Sequence, residues 1–276
     1  VRVARFVVIP QWQGSGSARA MRLIDGAEAI RGDLPTASTT IVDVPLEAGD
    51  ERGSGVQRLG SIEIVRDRVV TALAGIDQVP IVIGGDCSVE LGAIESALER
   101  HPDVAVVWFD AHSDLNTPTS SRSGAFAGMV LRTLLGDGID ELVPQVTLDP
   151  ARVVLAGVRD LDPAEEGFIS DSGIALVGVD DLTTPDALVA AVLATGASGV
   201  YIHVDVDVLD PPEFTGTAEP VPFGLSAAAL LESIRALRER VPLIGAGICQ
   251  FGPSSPDAAV DDMPTLLRVV GALARG

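Results

Sequence analysis

The stretch Val200-Tyr201-Ile202-His203-Val204-Asp205-Val206-Asp207-Val208-Leu209-Asp210-Pro211 ends an apolar run in a burst of carboxylates. Two other apolar runs end in the same way. Residues 79–83 lead into Gly84-Gly85-Asp86-Cys87-Ser88, and residues 104–109 lead into Asp110-Ala111-His112-Ser113-Asp114. In an open α/β sheet, ligands collect beyond the carboxyl ends of parallel strands, so three such runs deliver several carboxylates and an imidazole to one crevice. Like charges gathered in this way repel unless something positive sits among them, and a pair of divalent cations is the simplest candidate.

The donor set favours oxygen-preferring metals. Asp110, His112 and Asp114 alternate along an extended tip and Asp205 and Asp207 alternate on a strand, so a period of two turns each set to one side. Carboxylates with a single imidazole suit manganese better than zinc or copper. Two ions roughly 3.5–4 Å apart share a bridging hydroxide and lower the pKa of water enough to make a nucleophile at neutral pH. The motifs therefore read as those of a metal-dependent hydrolase.

The rest of the chain supplies a matching scaffold. Strand-like runs occur near 5–9, 39–44, 79–83, 104–109, 152–156, 174–177, 200–206 and 241–246, and helical spacing near 62–73, 88–98, 184–193, 226–237 and 266–274. This alternation predicts a single α/β domain over residues 1–276, with a mostly parallel eight-stranded sheet and helices on both faces. At 276 residues and 47% hydrophobic content, a sizeable core is expected. Gly14-Ser15-Gly16-Ser17 reads as a turn, because it lacks the full nucleotide fingerprint.

Composition excludes several functions. A formal charge of −20 leaves no basic stripe to replace phosphate counterions, so nucleic acid is not an expected partner. The chain has no lysine, which rules out Schiff-base chemistry and a Walker A loop. No apolar stretch approaches the roughly 20 residues that span a bilayer, and the run at 6–9 is too short for a signal-peptide core. Two cysteines do not make a disulfide framework, and a cytoplasmic location is expected.

The three ordered motifs resemble those of the ureohydrolase family, which contains arginases, agmatinases and their relatives and whose usual patterns are GGDHS, DAHxD and SxDxDxxDP. The likeness extends to Asp114-Leu115-Asn116-Thr117-Pro118, Ser123-Gly124 and the segment from Gly157 to Glu165. It implies an arginase-like fold and two Mn2+ ions. The first site takes Cys87, Asp110, Asp114 and Asp205; the second takes Asp110, His112, Asp205 and Asp207, with Asp110 and Asp205 bridging. It further implies a grip on a small-molecule guanidino amino acid, with Asn116 and Ser123 on the α-carboxylate and Asp162 and Glu165 on the α-ammonium. The bland alternative for some of these aspartates, including Asp162 before Pro163, is helix capping. For Asp86 and Asp210 a structural role is the expectation.

Three departures from the family pattern bear on substrate. Cys87 stands where the family has histidine, which makes the first site weaker or suited to a softer metal. Ala127 stands at the position of a proton-shuttling histidine, a loss that costs roughly 10²–10⁴ in rate if nothing replaces it. Gln250 stands where relatives present a glutamate to the guanidinium, and Glu219 on a neighbouring loop either restores a carboxylate or faces solvent. An intact amino-acid grip with an altered guanidine grip points to Nω-hydroxy-L-arginine, whose distal group is less basic, with L-ornithine and hydroxyurea as products. Asp114 is the expected proton relay. His203, two residues before Asp205 on the same strand face, is a second catalytic candidate, with a supporting hydrogen bond as its alternative. An ordinary arginase or other guanidino-acid hydrolase, and a catalytically impaired relative with a binding role, are the rival readings. The chain stops soon after its last helical stretch, without the tail that packs between arginase subunits, so a monomer is expected.

Overall fold

Runs rich in valine and isoleucine become strands here because β-branched side chains suit a pleated surface that is covered on both sides. The computed structural model describes residues 4–275. Among these, eight strands form one sheet: β1 (Arg5–Ile9), β2 (Thr39–Ile41), β3 (Pro80–Gly84), β4 (Ala105–Phe109), β5 (Val153–Ala156), β6 (Ala175–Val177), β7 (Val200–Asp205) and β8 (Leu243–Cys249). Their order is β2-β1-β3-β8-β7-β4-β5-β6, and every strand pair is parallel.

Alternation along the strands sends successive side chains to opposite faces and makes two cores. On one face Val8, Ile83, Val107 and Ile202 pack with α1 (Arg22–Gly32), α6 (Asp186–Ala194), α7 (Ala227–Arg240) and α8 (Pro256–Ala274). On the other, Val7, Val82, Trp108 and Tyr201 pack with α2 (Leu59–Leu73), α3 (Glu90–Arg100) and α4 (Val130–Leu134). A further helix, α5 (Pro163–Ser172), lays Phe168 and Ile169 against this second core. The expected doubly covered parallel sheet is what the chain forms.

Some elements differ from the sequence reading. Helix α1 was not anticipated, because Gly26 interrupts its pattern, whereas α5 begins at Pro163 with Asp162 as its N-cap, as the capping alternative implied. Gly26 has a packing reason: a Cβ there would lie 1.7 Å from the Phe251 carbonyl oxygen. Helix α8 begins at Pro256, well before the expected start at 266, and carries Pro264 inside it. Ser255 caps it by accepting from the Ala258 amide, and buried Leu266, Val269 and Leu273 hold its face, which outweighs one missing backbone donor. Strand β2 stops at Ile41 rather than 44, whereas β8 runs on to Cys249 and so carries Gln250 to a strand tip.

The tips of β1, β3 and β8 are laced together. The Gly85 amide donates to the Ile9 carbonyl at 2.9 Å, the Asp86 amide to Gln11 at 3.0 Å, and the Gln250 amide to the Gly85 carbonyl at 2.7 Å. Gly85 lies so close to β1 that a Cβ would meet the Gln11 carbonyl oxygen at 1.7 Å. Backbone cannot swing aside as a long side chain does, so Gly85→Ala is expected to lower stability by about 1–3 kcal/mol, read as a lower denaturant midpoint at unchanged slope. An unchanged midpoint would mean that the lacing is not constraining.

Candidate metal centre and substrate cleft

The four central strands β3, β8, β7 and β4 end side by side, and the chemistry-bearing residues follow directly from their carboxyl ends. After β3, Asp86 accepts from the amides of Ser88 at 2.8 Å and Gly14 at 2.9 Å. That fixes the turn which buries Cys87, and it gives Asp86 the structural role expected of it. After β4, Asp110 accepts from the His112 amide at 2.7 Å and from the Trp108 indole at 3.0 Å. At the end of β7, Asp205 accepts from the Asp207 amide at 2.8 Å, and the Cys87 thiol reaches its other oxygen at 3.1 Å. Asp207 accepts from the Ala111 amide at 3.0 Å, which ties the tips of β7 and β4 together.

These contacts bring the expected ligands to one place. Asp110, His112 and Asp207 form one cluster; the His112 Nδ1 atom lies 3.0 Å from Asp207 and 3.4 Å from Asp110. Cys87, Asp110 and Asp205 form a second, and His203 joins it. Asp114 projects into the same cleft from a left-handed backbone (φ 54°), and its Oδ2 atom is buried without a hydrogen-bond partner.

Electrostatics states what the site lacks. Burial, and then repulsion from Asp207, pushes the Asp110 carboxyl up to about 6. Asp114 and Asp205 are pushed well above the usual carboxylate range, in both cases first by burial and then by neighbouring aspartates. The Cys87 thiol is raised by burial, with Cys249 and Asp205 adding to it. Burial works against the charged form of His112, yet Asp110 and Asp207 hold the imidazole protonated far above its ordinary value. Asp207 alone goes down, because hydrogen bonds from His112 and the Ala111 amide outweigh its burial. Buried acids that repel one another, with one oxygen left bare, form a donor set that divalent cations complete.

The cleft above this centre measures about 370 Å³ and continues to the expected amino-acid grip. Asn116, exposed Ser123 and half-buried Asp162 line it, and the Asn116 amide donates to Asp162 at 3.3 Å. Glu165 also lines it, but its carboxylate already accepts from the Ser113 hydroxyl, the Leu115 amide and the Asp162 amide at 2.8, 3.0 and 2.9 Å. Glu165 thus braces the loop after β4 against the start of α5. Ala127, Gln250 and exposed Glu219 complete the walls. Gln250 sits in a left-handed conformation (φ 67°) at the β8 tip. His203 lies beneath the centre, fully buried, rather than among the residues that line the cleft.

Sequence reasoning missed several participants. Ser15 and Gly16 reach the cleft from the loop after β1, and Asp160 reaches it from the loop after β5. Their position beyond parallel strands was the available signal. Glu90, Trp108 and Tyr201 lie around His203, and only folding brings them there.

A parallel α/β sheet whose central strand tips gather carboxylates, an imidazole and a thiol around one cleft defines a metal-centred ureohydrolase scaffold. The chain belongs to the arginase family, whose family model matches residues 20–261. It is 36% identical to an arginase of Staphylococcus aureus (strain COL) over 168 residues, 58% of this chain and 56% of that enzyme, so the match spans little more than half the relative's length. It is 30% identical to the arginase of Bacillus caldovelox over 77% of this chain and 75% of that one. The structure of Entamoeba histolytica arginase in complex with L-ornithine superposes with a TM-score of 0.87 at 22% identity, covering 99% of this chain and 97% of that one, which shows the shared fold.

The bare Asp114 carboxylate carries a sharp expectation. Asn keeps its shape and tolerates a left-handed backbone, so Asp114→Asn removes a buried unpaired acid without new strain. The metal-free variant is expected to gain stability on the order of 1 kcal/mol, while its Mn2+-induced rise in melting temperature shrinks. A loss of stability in the metal-free form would contradict this account.

Proposed function

We propose that this chain is a dinuclear-manganese amidinohydrolase that cleaves Nω-hydroxy-L-arginine to L-ornithine and hydroxyurea. The observation that carries the reading is that one cleft is lined both by Asn116, Ser123 and Asp162, the residues expected to hold an amino acid, and by two neutral residues, Ala127 and Gln250. A fully charged guanidinium is served best by a carboxylate, whereas a less basic hydroxyguanidine accepts a neutral amide. Ala127 is small and buried, which leaves room for an added hydroxyl and offers no titratable group. The Cys87 position also resembles the Nω-hydroxy-L-arginine amidinohydrolase of D-cycloserine biosynthesis.

Cys87, Asp110, Asp114 and Asp205 would hold one ion and Asp110, His112, Asp205 and Asp207 the other. When bound, the ions supply a water acidic enough to be a nucleophile at neutral pH. Asn116 and Ser123 orient the substrate carboxylate, and Asp162 faces the α-ammonium. With the amino acid so fixed, the guanidino carbon is held over the carboxylate centre, and orientation supplies part of the rate. Attack by water forms a C–O bond and breaks the bond from carbon to the δ-nitrogen, whose electron pair takes a proton. Asp114 accepts the proton of the attacking water and passes it to that nitrogen.

One observation favours a second reading. Glu219 lines the same cleft, and a carboxylate there would suit arginine itself. Manganese-loaded protein offered both amino acids at equal concentration should release ornithine mainly from Nω-hydroxy-L-arginine, with hydroxyurea rather than urea as co-product. Gln250→Glu is expected to move the preference toward arginine by about tenfold or more. Arginine preferred by the unaltered protein would replace this reading with an arginase. Turnover of neither substrate with metal demonstrably bound would refute both.

A further inference from the structure

Between β7 and α3 lies a buried polar cluster that the proposed reaction does not use. His203 falls on the same face of β7 as Tyr201 and Asp205, and in register with Trp108 on β4. The two rings stack with centroids 3.6 Å apart and planes at 23°, which fixes the orientation of the imidazole. One edge meets α3: His203 Nδ1 lies 3.0 Å from Glu90 Oε1, and the other Glu90 oxygen accepts from the Tyr201 hydroxyl at 2.6 Å. Glu90 is fully buried, and β8 makes room for it only through glycine, since a Cβ at Gly247 would lie 1.6 Å from Glu90 Oε1.

A carboxylate on one ring nitrogen holds a proton there and presents the lone pair of the other, which is how metal-binding histidines are commonly set. The other nitrogen here, Nε2, lies 3.8 Å from Cys87 Sγ and 3.9 Å from Asp110 Oδ2. Donor atoms from Cys87, Asp110, His203 and Asp205 all fall within 4.8 Å of one another. Two donors on one ion, at about 2.3 Å for sulfur and about 2.0–2.1 Å for nitrogen, sit roughly 3–3.7 Å apart. The cluster therefore needs only a slight contraction to close around a cation.

We infer that His203 Nε2 is a further ligand of the first metal position, added to Cys87, Asp110, Asp114 and Asp205, with Glu90 and Tyr201 as the groups that orient it. The inference rests on the dinuclear reading above and changes its chemistry. The first position becomes a mixed sulfur, nitrogen and oxygen site that accepts softer ions such as Zn2+ or Co2+, while the His112 position keeps the oxygen-rich set that suits Mn2+.

The chain holds three histidines, and His101 is exposed at the end of α3, so counting bound imidazoles decides the matter. Protein loaded with two equivalents of Co2+ should show a thiolate-to-metal absorption band, and X-ray absorption should find two imidazoles per protein, unchanged in His101→Asn. His203→Asn, checked for folding by circular dichroism, should bind the first ion at least about tenfold more weakly and show one imidazole. Two bound ions with a single imidazole in the unaltered protein would overturn the inference while leaving the proposed reaction standing. Such a result would make His203 a hydrogen-bond donor to a Cys87 thiolate. The count in the unaltered protein decides even if the variant fails to fold. No bound metal at all would overturn both.

Discussion

Repulsion among buried carboxylates at the tips of β3, β8, β7 and β4 is the constraint around which this molecule is built. Four adjacent parallel strands point their carboxyl ends the same way, so the motifs after them have nowhere to go but toward each other. Asp110, Asp114 and Asp205 are driven toward the neutral form, and Asp207 is spared only because His112 and the Ala111 amide hydrogen-bond to it. Buried carboxylates that repel one another cost stability unless a positive charge offsets them, a cost typical of sites shaped for function rather than for folding. Hydrogen bonds around the cluster hold the strand tips together. Gly85 laces β1, β3 and β8 together, and the Arg159 guanidinium donates to the carbonyls of Gly157, Asp207 and Val221, pinning the turn after β7.

Above the carboxylate centre the cleft wall combines polar side chains that are bonded to one another with small and neutral ones. Asn116, Asp162 and Ser120 are linked by hydrogen bonds, with the Ser120 hydroxyl donating to Asn116 at 2.8 Å, so this part of the cleft wall is organised in advance. Ala127 and Gln250, neither of which carries charge, line the same cleft.

Much of the fold was legible because strand periodicity and composition are local signals. The runs that became β1, β3, β4 and β7 are short, apolar and rich in valine or isoleucine, and the ends of β3, β4 and β7 coincide with the motifs. Helix α1 was hidden by Gly26, which exists for a contact with distant Phe251. The start of α8 was hidden because Pro264 reads locally as a stop, whereas the buried face beyond it is a tertiary effect. The site shows the same division. Cys87, Asp110, His112, Asp114, Asp205 and Asp207 stand out in sequence because the motifs are contiguous. The pairing of His203 with Glu90 joins residues 113 positions apart through α3 and β7, and no local pattern announces it. Glu165 was legible as a cleft residue, but its engagement by Ser113 and two amides depends on how the loop after β4 meets α5.

The most direct test of the central constraint is a calorimetric titration of metal-free protein with Mn2+, followed by thermal unfolding at each point. If the buried carboxylates are held together at a cost that cations relieve, binding saturates at two equivalents and the melting temperature climbs with occupancy. Absence of saturable binding, or binding that leaves the melting temperature where it was, would contradict the account.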